Sequence, residues 1–411
     1  MAADIGRRYV IIGNGIAGTT CADELRKADP ACAIWLITNE PYPLYNRVSL
    51  PRYLQGALAE QKVMIRDRAW HEQRDITLLT DTLATRVDTD ERVVYLNHGG
   101  PLRYDALLIC TGGWANKLQA PGVEGVADIY NFVTLDDTRA LIARALESKH
   151  AVTSGGSFIA YELTEGFNVR GVHVTWLMRG PYWLRNILDE EGGALVDEIA
   201  TAHGVEVVHG ESISEVVAAN GVPQHVIATS GKRYAADVIG VGLGLTLNHG
   251  FLADTAIERR TGIVTNEYLE TNVPGVYAAG DVAEFYDLMV GQHQTMGTWD
   301  NAMAHGRVVA TNMAGGRREY RDVPTYTSPL FNTNIAVMGI AETNNPMLTS
   351  IWRTVPGDKG KDYRKFFFMG ARLVGAVFIG SPKGRKKVVE LIRTEQEYAT
   401  PAEREGLFDV R

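Results

Sequence analysis

Gly13, Gly15 and Gly18 stand in the order G-x-G-x-x-G, and Glu40 follows within the next thirty residues. Each glycine has a separate task in holding a pyrophosphate. The first permits a tight turn, the second lets the phosphates approach the backbone, and the third lets a helix pack closely on a strand. The free N–H groups at the start of that helix then face the anion. A carboxylate at the Glu40 position is placed to accept hydrogen bonds from a ribose diol.

The elements needed to hold these residues can be read around them. Residues 8–40 give an apolar strand, the glycine turn, a helix and a second apolar strand that ends in Glu40. This order predicts a dinucleotide-binding unit at the start of the chain. Near residue 280 the run LETNVPGVYAAGDVAEF predicts another strand, closed by Gly280 and Asp281. It offers a carboxylate and a following helix start to a sugar-phosphate chain.

These motifs together resemble the FAD-dependent pyridine nucleotide-disulfide oxidoreductase superfamily. Thr271, Pro274, Val276, Tyr277, Gly280 and Asp281 match its second FAD motif, and ALLICTGG at 106–113, with Thr111 and Gly112, resembles its crossing strand. The resemblance implies FAD held by Gly13, Gly15, Gly18, Glu40, Thr111, Gly112, Gly280 and Asp281. It also implies an α/β fold of two doubly wound Rossmann-like domains, the second inserted in the first, plus a small C-terminal α+β domain. The expected boundaries are 1–115 with 245–325 for FAD, 116–244 for NAD(P)H, and 326–411 for the C-terminal domain.

The branch follows from what stands near the expected flavin. NEPYPLYNRVSLPRYLQG contains no cysteine where disulfide reductases of the superfamily carry theirs. Instead Tyr45, Arg47 and Leu50 are similar to a segment of ferredoxin and rubredoxin reductases and of the N-terminal part of nitrite reductase large subunits. The lysine of that segment is replaced by Arg52, which keeps the charge but cannot release a proton at ordinary pH. Trp299, in GTWDNAMAHGRVVATNMAGG, matches their W-x-x-A-x-x-x-G segment and is expected beside the flavin, or else as a core aromatic.

A second strand, turn, helix, strand pattern covers HAVTSGGSFIAYELTEGF and GVHVTWLMRG. Set against the superfamily's second nucleotide motif, Gly155, Ser157 and Ala160 occupy the three glycine positions. Ala160 adds one methyl group at the helix-packing position. Ser157 is the weaker match, because a side chain there either crowds the pyrophosphate or donates its hydroxyl to it. Met178 stands where NAD-preferring members carry an acid, and Arg179 and Arg185 follow. An acid would repel a 2′-phosphate, whereas two guanidiniums would bind it. NADPH is therefore expected over NADH, unless the two arginines are simply solvated. Glu162 matches the glutamate that lies over the flavin, and an ion pair with Arg52 is expected there.

Composition bounds the remainder. The chain of 411 residues, 45% hydrophobic and 22% charged, is long enough for two or three cores. No secretory signal and no membrane-spanning run is read, so the cytoplasm is expected. Cys21, Cys32 and Cys110 form no CxxC pair, and no metal-ligand spacing is present. Net charge is −8, yet residues 353–393 hold eleven Lys or Arg against three acids. That run is read as solvated loops or as a docking face for an acidic partner. Aromatic and basic residues do not interleave as in a nucleic-acid surface.

The combined expectation is an FAD-dependent NAD(P)H oxidoreductase in which Arg52 and Glu162 serve the chemistry. Electrons would pass to a small acidic ferredoxin or rubredoxin, and a homo-oligomer is left open. Two rivals remain: an FAD-binding partner subunit or redox-responsive protein with an impaired nicotinamide site, and a reductase acting directly on a small molecule.

Overall fold

The computed structural model describes residues 6–357 and 360–410. Contacts divide the chain into two units. One comprises Met1–Asn46, Met64–Trp114 and Leu247–Tyr326; the other comprises Arg47–Val63, Ala115–Thr246 and Thr327–Arg411. The stretch carrying Arg47 and Arg52 thus belongs to the second unit, as does the segment expected as a separate C-terminal domain.

The first unit is built on a five-stranded parallel sheet in the order Val276–Ala278, Ala106–Ile109, Arg8–Ile12, Ala33–Ile37, Ile76–Leu79. Its central strands are continuous apolar runs because both faces are covered. The helix Ile16–Ala28 lies on one face and packs against the helix Trp299–Met313. That pairing depends on Gly306, where a Cβ would come 2.4 Å from the Ala17 carbonyl oxygen. The small residues of the W-x-x-A-x-x-x-G segment are thereby explained as packing. Ala302 faces Gly280 and Gly306 faces the phosphate helix.

The second unit repeats the arrangement. Its parallel sheet runs Glu206–His209, His173–Met178, His150–Ser154, Val238–Val241, Ile129–Tyr130. A further five-stranded sheet, formed by Thr325–Leu330, Thr333–Gly339, Arg372–Ile379, Gly360–Met369 and Leu348–Gly357, stands beside it. Tyr363, Phe367, Val374 and Val377 of that sheet share one core with Trp176, Trp183, Leu195 and Val196. An ion pair and a hydrogen bond reinforce the contact. Asp189 caps the helix Glu190–Ala202 and receives both the Tyr363 hydroxyl at 2.8 Å and the buried Lys365 ammonium at 3.3 Å. Among the described residues, no helix is long and apolar enough to cross a membrane.

Candidate functional site

The turn of the first unit has the geometry its glycines require. Gly13 has φ +120°, and a Cβ there would come 2.2 Å from the Cys110 carbonyl oxygen. A Cβ at Gly18 would meet the Gly13 carbonyl oxygen at 2.0 Å and the Cys110 sulfur at 2.9 Å. Gly15 differs, because nothing stands within 4 Å of where its Cβ would be. A side chain would intrude on that open space at the helix start, which glycine leaves clear. The Asn14 side chain fixes the turn from behind: it donates to the Tyr42 carbonyl at 3.2 Å and accepts the Thr19 hydroxyl at 2.8 Å.

Glu40 is oriented by a residue in the same unit, since the Tyr45 hydroxyl donates to its Oε2 at 2.6 Å. Thr111 and Gly112 hold the returning chain, through the Thr111 hydroxyl to the Asn248 carbonyl at 2.6 Å and the Asn248 N–H to Gly112 at 2.9 Å. Gly280 has φ +70°, and Asp281 follows with its carboxylate beside Gly297. Trp299 is half-buried at the first turn of its helix, which Thr298 caps. Together these residues give an open glycine cradle, an acid held by Tyr45 and a second acid after a strand.

His305 was not visible as a site residue from sequence, although it lies inside the Trp299 segment. It is fully buried, and its Nδ1 accepts the Gly280 N–H at 3.2 Å. Burial pushes its pKa down to about 3, so the ring is neutral. Phe285 and Tyr320 meet it edge to face at 4.8 and 4.4 Å.

In the second unit Gly155 has φ +132°, and a Cβ there would come 2.2 Å from the Gly242 carbonyl oxygen. Ser157 does not project into the cradle. Its hydroxyl donates to the Gly242 carbonyl at 2.8 Å and accepts from the Ala160 N–H at 3.3 Å, which caps the helix Phe158–Val169. Such a cap contributes about 1 kcal/mol. The space before Gly156 is open, with nothing within 4 Å of a Cβ. Serine at the second glycine position is therefore compatible with a bound pyrophosphate.

Met178 is fully buried at the end of its strand and offers nothing to a ribose. Arg179 and Arg185 are both exposed, and neither side chain is engaged in a hydrogen bond or ion pair among the described residues. Arg185 folds back over Gly180, the residue after Arg179: a Cβ there would stand 3.0 Å from the Arg185 Cδ.

One expected contact is not formed. Arg52 is exposed and makes no side-chain hydrogen bond or ion pair among the described residues, whereas Glu162 is 7% exposed. The short helix Leu50–Leu54 buries Leu50, Pro51 and Leu54, which turns Arg52 outward. Arg47, in the same unit, donates to the Val133 carbonyl at 2.9 Å. A turn beyond Glu162 lies Glu165, also missed from sequence. Burial pushes its carboxyl pKa up, against hydrogen bonds from Tyr161 and Gln55 that lower it. The cysteines are all buried and free, and burial pushes each thiol up, away from thiolate chemistry. Among the described residues no cluster could hold a metal ion.

Two parallel-sheet units, each with a glycine turn at a helix start, define a protein that binds two dinucleotides. The chain belongs to the pyridine nucleotide-disulphide oxidoreductase family, whose profile matches residues 7–306. Members of this family bind FAD and NAD(P)H. The chain is 24% identical to nitrite reductase [NAD(P)H] of Bacillus subtilis over 95% of its own length and 48% of that protein's. It therefore spans about half the length of that relative. It is 28% identical to the ferredoxin reductase component of chlorobenzene dioxygenase from a Cupriavidus species, covering 81% of this chain and 80% of that one. Among solved structures, a covalent putidaredoxin reductase–putidaredoxin complex matches with a TM-score of 0.89 at 22% identity, covering 99% of both chains. An engineered water-forming NADPH oxidase bound to NADPH matches with a TM-score of 0.87 at 18% identity, over 95% of this chain and 91% of that one.

Proposed function

We propose that this chain is an FAD-dependent, NADPH-preferring oxidoreductase that passes electrons to a small acidic carrier of the ferredoxin or rubredoxin type. The observation that carries the nucleotide preference is the pair of unengaged arginines, Arg179 and Arg185, beside a buried Met178. Two guanidiniums without partners among the described residues suit a dianionic 2′-phosphate, and no carboxylate stands at the Met178 position to repel it.

The engineered NADPH oxidase supports this reading. Its substitutions include glycine to alanine, then aspartate to alanine eighteen positions on, alanine to arginine at the next, and proline to arginine six further. Ala160, Met178, Arg179 and Arg185 stand at those same intervals in this chain.

The bound groups supply the chemistry, hydride transfer from NADPH to FAD and release of electrons one at a time. The chain's own part is binding and orientation. Gly13, Gly15 and Gly18 would hold the FAD pyrophosphate, Glu40 its ribose and Asp281 its ribityl chain. Gly155, Ser157 and Ala160 would form the NADPH phosphate turn, with Glu162 orienting the nicotinamide. Thr111, Gly112, Gly280 and Trp299 complete the proposed FAD contacts. Exposed lysines on the helix Arg385–Arg393 suit an acidic partner, and the names of the ferredoxin reductase component and the putidaredoxin complex support a small carrier protein. A reducing cytoplasm fits three free cysteines.

Anaerobic stopped-flow mixing with NADPH tests the proposal. Flavin bleaching within seconds, faster with NADPH than with NADH, is the expected result. A flavin that dithionite reduces but neither nucleotide bleaches would refute it.

A further inference from the structure

Three successive carbonyls of the second unit's turn are each held by a donor. The Gly155 carbonyl accepts from the Trp176 indole at 2.8 Å, the Gly156 carbonyl from the Leu184 N–H at 3.3 Å, and the Ser157 carbonyl from the Trp183 indole at 3.0 Å. In a trans peptide the N–H of the next residue points opposite to the carbonyl. Holding these three oxygens, the last of them also by the Tyr161 N–H at 3.2 Å, therefore aims the N–H groups of residues 156, 157 and 158 away from Trp176, Leu184 and Trp183 in turn. Those of Gly156 and Ser157 donate to no group among the described residues and border the open space before Gly156. This is the arrangement that receives a phosphate at a helix start.

Two of the three donors, Trp183 and Leu184, belong to the loop between Arg179 and Arg185. Trp183 is fully buried, meeting the Phe158 ring edge to face at 5.3 Å and the Tyr161 ring at 5.2 Å. Leu184 is held at φ +47°, a left-handed conformation that disfavours a non-glycine residue. Its N–H reaches Gly156 from that conformation, and Arg185 follows directly and folds back over Gly180. The loop that carries the arginines is thus bonded to the turn through consecutive residues.

We propose that Trp183 is a positioning residue that couples the arginine loop to the phosphate turn, so that a 2′-phosphate drawn between Arg179 and Arg185 sets the turn for the pyrophosphate. The proposal rests on reading this site as an NADPH site. Trp183 then acts on specificity without touching the 2′-phosphate.

A double-mutant cycle on the FAD-loaded protein tests it, with calorimetric titration of NADP+ and NAD+ into wild type, Trp183→Phe, Arg179→Ala and the double variant. Phenylalanine keeps an aromatic ring but removes the indole donor and the volume of the second ring, a loss that a merely structural role would spread equally over both nucleotides. Trp183→Phe should weaken NADP+ about tenfold and NAD+ about threefold or less, and the loss caused by Arg179→Ala should shrink at least threefold in the Trp183→Phe background. Additive losses within twofold, or equal losses for both nucleotides, would overturn the coupling while leaving the NADPH site intact. A wild type without preference for NADP+ would instead overturn the NADPH reading itself. Hydrogen exchange on the wild type is the second measurement, independent of whether a variant folds. Saturating NADP+ should slow exchange across residues 155–162 and 181–188 more than saturating NAD+, and equal protection would overturn the coupling.

Discussion

Ala160 and Gly242 divide one space between them. A Cβ at residue 242 would come 2.4 Å from the Ala160 nitrogen and 2.7 Å from its Cβ. In the first unit the shares are reversed: Gly18 is bare and Cys110 carries the side chain. Alanine at the third glycine position is thus compensated on the facing strand end. Gly242→Ala should destabilise the protein by about 1–3 kcal/mol, because the clash is with backbone that cannot move cheaply. Adding Ala160→Gly should recover part of it. Thermal melts of the three variants check this, and an unaffected single variant would refute the shared space.

Arg179→Glu should reverse the nucleotide preference. It removes a donor and places a carboxylate against the 2′-phosphate, so KM for NADPH should rise tenfold or more while KM for NADH changes little. Steady-state kinetics with both nucleotides decide. Equal loss for both would remove the 2′-phosphate assignment from this loop.

The parts of the site fixed by backbone were legible in the sequence. Gly13, Gly18 and Gly155 have no alternative residue at their φ or contact distance, so spacing alone located them. Ser157 was legible only as a departure, because its rotamer depends on the Gly242 carbonyl, eighty-five residues away. The Arg52–Glu162 pair was misjudged because a five-residue helix gives too few positions to fix its phase. The basic run 353–393, read as solvated loops or a docking face, is mostly strand and helix in the structure. Arg364 and Lys365 are adjacent in one strand, and strand geometry sends their side chains to opposite faces. Both are buried, Arg364 under the Val410 carbonyl and Lys365 against Asp189.

His305 gives the acid limb of stability a definite sign. Its folded pKa of about 3 lies below the ordinary 6.5, so the unfolded chain binds a proton that the folded chain refuses. Stability contributed by the neutral ring is complete above pH 6.5 and falls as pH drops through the window to 3, by up to about 1.4 kcal/mol per pH unit. His305→Gln keeps an acceptor for the Gly280 N–H and does not titrate. Urea midpoints at pH 7 and 5 should converge in the variant relative to wild type. An unchanged difference would show that other groups carry the acid limb.

Electron transfer to an acidic carrier should depend on very few of the eleven basic residues in 353–393. Arg353, Lys361, Arg372 and Arg393 pair with Glu405, Glu198, Glu395 and Glu390, and Arg385 donates to Thr327. Lys359 lies outside the described residues. Lys386 and Lys387 are exposed and have no hydrogen bond or ion pair among the described residues. Their charge is therefore available to steer a partner, and steering of this kind acts on the association rate and fades with salt. Reversing both, as Lys386→Glu with Lys387→Glu, should lower the rate with a ferredoxin at low ionic strength about tenfold, with the difference closing near 0.5 M salt. Reduction of ferricyanide by NADPH, which needs no protein docking, should be unchanged. A ferredoxin rate unaffected at every ionic strength would place the docking face elsewhere.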